Sequence, residues 1–282
     1  MQIRFWGVRG SVPVPNARML RYGGNTACVE VSLADGTRII LDAGTGIREL
    51  AATQTAHETS VHVLLTHLHL DHIQGLLFFS PMFDPTNTIT VYGPPAPGPN
   101  LDQRLARYLS APLSPVDLRE LPARVDFAAC PQDEWEVGSA RIRAAIVAHR
   151  GVTLGYRITE GDTSLCYLPD HEPALGAPLA DTDPGWISGM NLAAGASALI
   201  HDGQYTDEEY PAHIGWGHTS VSDALTFAER ANAQQLILFH HNPTHDDDQL
   251  DHLGERARQS WARADRDPAT LSLAVEGATI TL

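Results

Sequence analysis

Short apolar runs recur along the chain, rich in β-branched and aromatic residues and separated by turn-forming residues. Runs of this length and composition are typical of β-strands. They predict strands over residues 2–6, 28–33, 37–41, 60–66, 88–92, 141–148, 153–158, 164–168, 198–201, 235–239 and 270–275. Asp35-Gly36, between the second and third of these runs, indicates a hairpin turn.

Helical periodicity is clearest over residues 221–233, where Thr219 or Ser220 can cap the first turn and Ala224, Leu225, Phe227 and Ala228 form an apolar stripe. Two more helices are predicted over residues 247–264 and 101–109. This alternation fits a two-layer sheet core covered by outer helices. We expect a single domain over residues 1–282.

The charge of the chain bears on its partners. The 282 residues are 43% hydrophobic and 19% charged, which suits a sizeable core, and 34 acidic against 19 basic side chains give a net charge of -15. A phosphate backbone binds chiefly through clustered Lys and Arg, and the sequence contains no run rich in them. We therefore expect neither a large nucleic acid nor an anionic membrane surface as a partner.

Three scattered cysteines form no CxxC pair, the first residues carry no signal-peptide pattern, and no apolar run is long enough to span a membrane. These features predict a reduced, cytoplasmic protein. The 14 histidines are numerous beside 19 Lys and Arg. Because histidine is the commonest metal ligand, their placement is informative.

Four metal-ligating side chains follow the predicted strand 60–66 within six residues: His67, His69, Asp71 and His72. His67 and His69 are two positions apart, so an extended backbone directs both imidazoles to one side, where they can share a cation. Asp71 and His72 come where the chain turns and are placed to serve a second cation. Nitrogen and oxygen ligands of this kind suit zinc, manganese or iron.

The segment His67-Leu-His-Leu-Asp-His72 resembles the HxHxDH signature of the metallo-β-lactamase superfamily, and the resemblance covers almost the whole chain. Phe5-Trp-Gly-Val-Arg-Gly-Ser-Val-Pro is similar to the opening of its small phosphodiesterase branch. The resemblance implies an α/β (α+β) four-layer αββα sandwich, the metallo-β-lactamase fold. It also implies that Asp42, in Leu41-Asp-Ala-Gly-Thr-Gly46, orients the ligand imidazoles from behind.

Three later segments are similar to the remaining ligand motifs of the superfamily and supply His149, Asp170 and His240, with His171 and His241 as the neighbouring alternatives. Asp170 follows a predicted buried strand, and its burial without a cation would be costly. The resemblance implies one divalent ion on His67, His69, His149 and Asp170, and a second on Asp71, His72, Asp170 and His240. Zn²⁺ is the expected metal, with Mn²⁺ and Fe²⁺ as alternatives.

Two segments resemble positions that separate subfamilies. Leu199-Ile-His-Asp202 resembles the His-Glu-Ala-Thr of tRNA 3′-processing relatives, and Gly217-His218-Thr-Ser resembles their Gly-His-Ser-Thr. In those relatives the histidine contacts the scissile phosphate and helps the departing oxygen take up a proton. The resemblance implies catalytic roles for His218, for Asp202 as the group that orients it, and for Asp71 at the metals.

The implied activity is that of a dinuclear metal-dependent hydrolase, a phosphodiesterase acting on a small, for example cyclic, phosphodiester. The expected nucleophile is a hydroxide bridging the metals, because a bound metal lowers the pKa of water from about 15.7 to about 7. Arg9, Ser11, Asn25 and Thr26 lie in glycine-rich loops that relatives place near the metals, and they are candidate substrate contacts. Turn chemistry explains Gly23-Gly24-Asn25 equally well.

Two other functions remain open: a lactone, thioester or carboxylic-ester hydrolase on the same scaffold, and a non-catalytic metal-binding or redox-sensing protein. A tRNA 3′-end nuclease is disfavoured, because those enzymes generally carry a Gly- and Lys-rich arm and no basic insertion exists here. The expected partner is a small-molecule phosphodiester. A homodimer is also open, since paired subunits are common among relatives.

Overall fold

Two β-sheets of seven strands each form the centre of the protein in a computed structural model that describes residues 1–53, 60–131 and 133–282. The first sheet contains β1 (Gln2–Gly7), β2 (Cys28–Ser32), β3 (Arg38–Leu41), β4 (Ser60–Leu64), β5 (Thr88–Gly93), β6 (Arg124–Ala129) and β14 (Thr279–Thr281). The second contains β7 (Trp135–Val137), β8 (Ala140–Val147), β9 (Thr153–Glu160), β10 (Thr163–Leu168), β11 (Ala198–Asp202), β12 (Gln235–Phe239) and β13 (Leu271–Leu273).

Each sheet is half parallel and half antiparallel. The first runs β14-β1-β2-β3-β4-β5-β6, with β3 to β6 parallel, and the second runs β13-β12-β11-β10-β9-β8-β7, with β10 to β13 parallel. The remaining neighbours are antiparallel. Parallel strands end at a common edge of their sheet, so polar residues that follow them are brought together.

The six α-helices of the described residues are α1 (Ile47–Ala51), α2 (Leu70–Ile73), α3 (Leu101–Leu105), α4 (Met190–Ala193), α5 (Val221–Arg230) and α6 (Asp247–Arg263). Short 3₁₀ turns cover Ala17–Met19, Gln74–Phe78, Ser80–Phe83, Leu118–Glu120, Pro184–Trp186, Tyr210–Ala212 and Pro268–Thr270. None of these helices is long and apolar enough to cross a membrane.

Three buried clusters define the layers. One lies between the sheets and includes Ile3 from β1 and Ile158 from β9. A second joins the outer face of the first sheet to α1 and α3 through Ile47 and Leu101, and the third joins the second sheet to the helices behind it, α6 included, through Trp261. The apolar face of each sheet and helix is thereby removed from water. The predicted αββα sandwich is confirmed.

Several predicted boundaries differ from the structure for local reasons. Strands β6, β7 and β14 were not predicted, because they are edge strands whose partly exposed side chains form no apolar run. The predicted helix 221–233 ends at Arg230, since Asn232 turns into the left-handed region with a φ of 51°. Ser220 is its N-cap and accepts from the Asp223 backbone N–H. His57 has no metal-ligand motif around it in the sequence, so we expect it to be structural or exposed, and it lies outside the described residues.

Candidate metal centre

The predicted site residues converge at one edge of the sandwich. The loop after β4 carries His67 and His69 and leads into α2 with Asp71 and His72. From the second sheet, His149 follows β8, Asp170 follows β10 and His240 follows β12. All seven side chains fall into groups whose ligand atoms lie within 4.8 Å of one another. The structure thus brings together every metal ligand that the sequence predicts.

Asp170 lies between the two halves of this cluster. Its Oδ2 is 3.7 Å from Nε2 of His67 and 3.6 Å from Nε2 of His149, while its Oδ1 is 3.0 Å from Nε2 of His72 and 3.3 Å from Nε2 of His240. One oxygen therefore faces each group of histidines. This is the arrangement that a carboxylate bridging two cations requires.

The remaining distances complete two adjacent groups. In the first, Nδ1 of His69 lies 3.3 Å from Nε2 of His149. In the second, Oδ2 of Asp71 lies 3.4 Å from Nε2 of His72 and 3.3 Å from Nε2 of His240. His69 is exposed while Asp71, His72 and His240 are buried, so the first group faces the mouth of the site and the second lies deeper.

Hydrogen bonds on the far side of the rings fix the direction of three imidazoles. Nδ1 of His72 donates to Asp42 at 2.9 Å, Nδ1 of His149 donates to the Gly217 carbonyl at 2.6 Å, and Nδ1 of His240 donates to Oε1 of Gln204 at 2.9 Å. With Nδ1 as the donor, Nε2 of each ring faces the cluster and is the nitrogen that would bind a metal.

Asp42 accepts several hydrogen bonds on the side of the predicted ligands that faces away from the cluster. Fully buried after β3 with a φ of 59°, it accepts from the Thr66 backbone N–H at 2.7 Å, from the Tyr167 hydroxyl at 3.0 Å and from His72. The Thr66 hydroxyl also contacts Asp42 and lies 3.0 Å from Nδ1 of His67. Asp42 therefore contacts His72 of one group directly and His67 of the other through Thr66, which suits the orienting role predicted for it.

Replacing Asp42 with asparagine is expected to weaken metal binding by about 10- to 100-fold. The asparagine NH₂ group donates hydrogen bonds, and it would face the hydrogen-bond donors that Asp42 accepts from. Competition with a chromogenic chelator measures this affinity. Asp35→Asn, in the exposed β2–β3 turn, is the matched control and is expected to bind metal as the parent does. Unchanged affinity in Asp42→Asn would contradict the orienting role.

The buried polar atoms at the centre fit divalent cations. Within the described part of the chain, Nε2 of His67, Nε2 of His72 and Oδ1 of Asp170 are buried and form no hydrogen bond of acceptable geometry, although the last two atoms are 3.0 Å apart. Unsatisfied buried groups are costly and rare in native proteins, whereas two bound cations, one in each group, would satisfy all three. Imidazole nitrogens with carboxylate oxygens form a donor set for zinc, manganese or iron.

The two alternative ligands point elsewhere. His171 packs its ring against His201 and Phe227, with its Nδ1 3.0 Å from Nε2 of His201. His241 donates from Nε2 to the Ala274 carbonyl at 2.8 Å, and burial lowers its pKa to about 3. Neither belongs to the groups around Asp170. Adjacent residues leave the backbone in different directions, so tertiary geometry selects Asp170 and His240.

A histidine–aspartate pair borders the metal ligands. Nδ1 of His218 lies 2.6 Å from Oδ2 of Asp202, and its Nε2 is 4.0 Å from Oδ2 of Asp170. Burial acts to lower the pKa of His218, but the charge and hydrogen bond of Asp202, together with the charges of Asp170 and Asp71, raise that pKa above its ordinary value. Asp202 is itself held by the backbone N–H groups of His171 and Gln204. His218, Asp170 and His240 are also close enough to share an ion.

Two polar residues of the site escaped sequence reasoning. Gln204 supports His240, and the fully buried Glu172 accepts from the Tyr210 hydroxyl and from the backbone N–H groups of Gly215 and Gly217. Glu172 thereby fixes the loop that leads to His218. A signal existed in Asp170-His-Glu172, because a charged residue so soon after a buried strand needs partners.

The candidate substrate contacts divide into buried and exposed residues. The Arg9 guanidinium is buried and donates to the carbonyls of Gly23 and His245, so it holds loops together and is withdrawn from substrate, contrary to expectation. Asn25 is bound to Glu276, and the Thr26 hydroxyl accepts from the Thr45 backbone N–H.

Ser11 is the exposed member of this set. Its backbone N–H donates to Asp71 at 2.8 Å, which places it beside the cluster. The close fit extends to neighbouring Gly10, where a Cβ would lie 2.4 Å from Nδ1 of His240.

The fold and site define a metal-dependent hydrolase. The family described as Beta-lactamase superfamily domain matches residues 37–241, and a Ribonuclease Z of Mycobacterium sp. (strain KMS) is 30% identical over 258 residues, which cover 82% of this chain and 81% of that protein. The chain belongs to the metallo-β-lactamase superfamily. Its fold is also that of two solved structures. The human tRNase Z, short form, has a TM-score of 0.67 and 19% identity, with 100% of this chain and 99% of that chain covered. Zn²⁺-bound PqqB from Methylobacterium extorquens has a TM-score of 0.71 and 18% identity, with 100% of both chains covered.

The exclusion of a large nucleic acid as partner is wrong. Relatives of matching length are named Ribonuclease Z, and a protein of the same fold is a tRNase. The physical reason is that net charge counts every carboxylate alike. Asp42, Asp71, Asp170, Asp202 and Glu172 are buried around the cluster, where divalent cations would offset their charge, so the chain-wide value of -15 does not describe the field at the site.

Proposed function

We propose that this hydrolase is a dinuclear phosphodiesterase. The observation that carries the proposal is the buried His218–Asp202 pair, whose free Nε2 faces the bridging Asp170. A carboxylic ester or a lactone also expels an alkoxide, so the choice of a phosphodiester rests in addition on the relatives named Ribonuclease Z. A phosphodiester with an alkoxide leaving group needs a proton donor at that position.

In this proposal His67, His69, His149 and Asp170 hold one divalent ion, and Asp71, His72 and His240 hold the other together with the second oxygen of Asp170. Such ions, when bound, supply positive charge to the phosphoryl oxygens and lower the pKa of a water between them. We favour zinc because of the imidazole-rich donor set, and the PqqB neighbour, described as Zn²⁺-bound, supports it.

The chain's own residues account for proton delivery and orientation. Asp202 holds Nδ1 of His218, so that Nε2 is the nitrogen turned toward the substrate, and its negative charge favours the protonated imidazole. His218 gives this proton to the departing oxygen. Glu172 and the Gly217 carbonyl keep His218 and His149 at a fixed separation, since both act on the same short loop.

RNA is the second candidate substrate beside a small phosphodiester. It is favoured by the 30% identical Ribonuclease Z, which matches this chain over most of its length. The same kind of phosphodiester bond is cleaved in both candidates. They differ in the chemical groups that are attached to the scissile phosphate.

Chelator-stripped protein is expected to hydrolyse bis(p-nitrophenyl) phosphate only after Zn²⁺ or Mn²⁺ is added back, with turnover rising as two ions bind per chain. p-Nitrophenyl acetate, assayed in parallel, reports carboxylic-ester chemistry on the same scaffold. Absence of phosphodiester turnover with two metals bound would reject the proposal and direct the search to lactones and thioesters.

A further inference from the structure

An exposed aromatic and cationic surface borders the cluster. The Trp216 side chain is 54% exposed, and Ile214 beside it is also exposed, whereas Gly217 and His218 immediately after them are buried. Exposed Arg150 directly follows His149. Large apolar side chains are normally withdrawn from water, so an exposed tryptophan two residues from the proposed acid is informative.

The two loops that carry Trp216 and Arg150 are fixed to each other. Nε of Arg150 donates to the Gly215 carbonyl at 2.9 Å, and its guanidinium lies 5.8 Å from the centre of the Trp216 ring. The His213 ring packs edge-on against the Trp216 ring, with 5.1 Å between the two ring centres. The tryptophan is therefore held in place and needs little ordering when a ligand binds.

This rigid loop is continuous with the candidate metal centre. Glu172 accepts from the backbone N–H groups of Gly215 and Gly217 at 2.8 Å each, and the Gly217 carbonyl accepts from Nδ1 of His149. A Cβ on Gly217 would lie 2.3 Å from that Nδ1 and 3.0 Å from the Arg150 backbone nitrogen. The loop that carries Trp216 is therefore anchored directly to His149 and leads directly into His218, two residues of the cluster and its border.

We propose that Trp216, with Arg150 beside it, stacks a nucleobase of the substrate next to the scissile phosphate. The inference rests on the proposed phosphodiesterase function and narrows its substrates to nucleotide-containing diesters. Every base has an aromatic face, so a single exposed tryptophan binds bases with little sequence preference, and a guanidinium adds affinity for the phosphate or the base. The proposal covers a small nucleotide diester and RNA alike.

The test compares two diesters with the same p-nitrophenolate leaving group: thymidine 5′-(p-nitrophenyl phosphate), which carries a base, and methyl p-nitrophenyl phosphate, which does not. The parent enzyme with zinc is expected to have a higher kcat/KM for the thymidine ester. In Trp216→Ala, kcat/KM for the thymidine ester is expected to fall on the order of tenfold, mainly through KM, with that for the methyl ester unchanged. Trp216→Phe keeps an aromatic face and is expected to recover most of the loss.

Trp186→Ala is the matched control, because Trp186 is exposed but lies outside the 213–218 loop. Equal losses on both esters in Trp216→Ala, or no loss on either, would overturn the stacking role. Equal kcat/KM values of the parent enzyme for the two esters would also overturn the stacking role. Failure of the parent enzyme to cleave either ester with two metals bound would instead overturn the phosphodiesterase function itself.

Discussion

Asp170→Asn is expected to reduce metal-dependent turnover of bis(p-nitrophenyl) phosphate by at least about 10³-fold. The carboxylate turns one oxygen toward His67 and His149 and the other toward His72 and His240. Asparagine keeps the shape but offers only one neutral oxygen, so it cannot serve both groups. We also expect bound zinc to fall below two ions per chain when it is measured by atomic spectroscopy after gel filtration.

Asp247→Asn provides the matched control. Asp247 is also a buried aspartate, but it accepts from the backbone N–H groups of Arg21 and Tyr22 and lies outside the metal-binding groups. Its variant is expected to keep both zinc ions. Full zinc content and more than about a tenth of the turnover in Asp170→Asn would show that the carboxylate does not bridge the ions.

His218→Ala is expected to lower kcat by about 10²- to 10⁴-fold on a dinucleotide, whose leaving group is an alkoxide. On bis(p-nitrophenyl) phosphate the loss is expected to stay below about tenfold, because p-nitrophenolate is a weak base and departs without a proton. The contrast between the two substrates identifies a proton donor. A change in overall stability or in metal content would affect both substrates alike.

Metal content separates the two roles open to His218, since its ligand atom also lies near those of Asp170 and His240. If His218 is a proton donor, the His218→Ala variant keeps two bound zinc ions. If His218 is instead a metal ligand, the variant loses one zinc ion and turns over both substrates more slowly, and this result would contradict the acid role. His252→Ala, on the exposed face of α6, controls for the loss of a histidine.

Most of the fold was predictable because its elements depend on local patterns. Strand β12 (Gln235–Phe239) coincides with its predicted range, and α6 (Asp247–Arg263) ends one residue earlier than predicted. Edge strands β6 (Arg124–Ala129) and β14 (Thr279–Thr281) were not predicted. They owe their pairing to a neighbouring strand, and a half-exposed strand carries little apolar signal of its own.

The ligands of the cluster were readable as motifs, because ligand types and spacing after a strand recur along the chain. The partners behind the ligands were not. Gln204 reaches His240, and Glu172 reaches Gly215 and Gly217, across sequence separations of 36 to 45 residues. Nothing local marks a glutamine or a glutamate as the support for a residue so distant, since any polar side chain satisfies the local pattern.

The sequence by itself determined the αββα layering, the superfamily and the ligand types, because periodicity and short motifs act over a few residues. Only the tertiary structure turned His240 rather than His241 toward the cluster, buried Arg9 among neighbouring loops and left Trp216 exposed two residues before His218. Side-chain direction depends on the backbone dihedral angles and on neighbours from the opposite sheet. Those neighbours come together only when the two sheets pack and the ends of β4, β8, β10 and β12 meet.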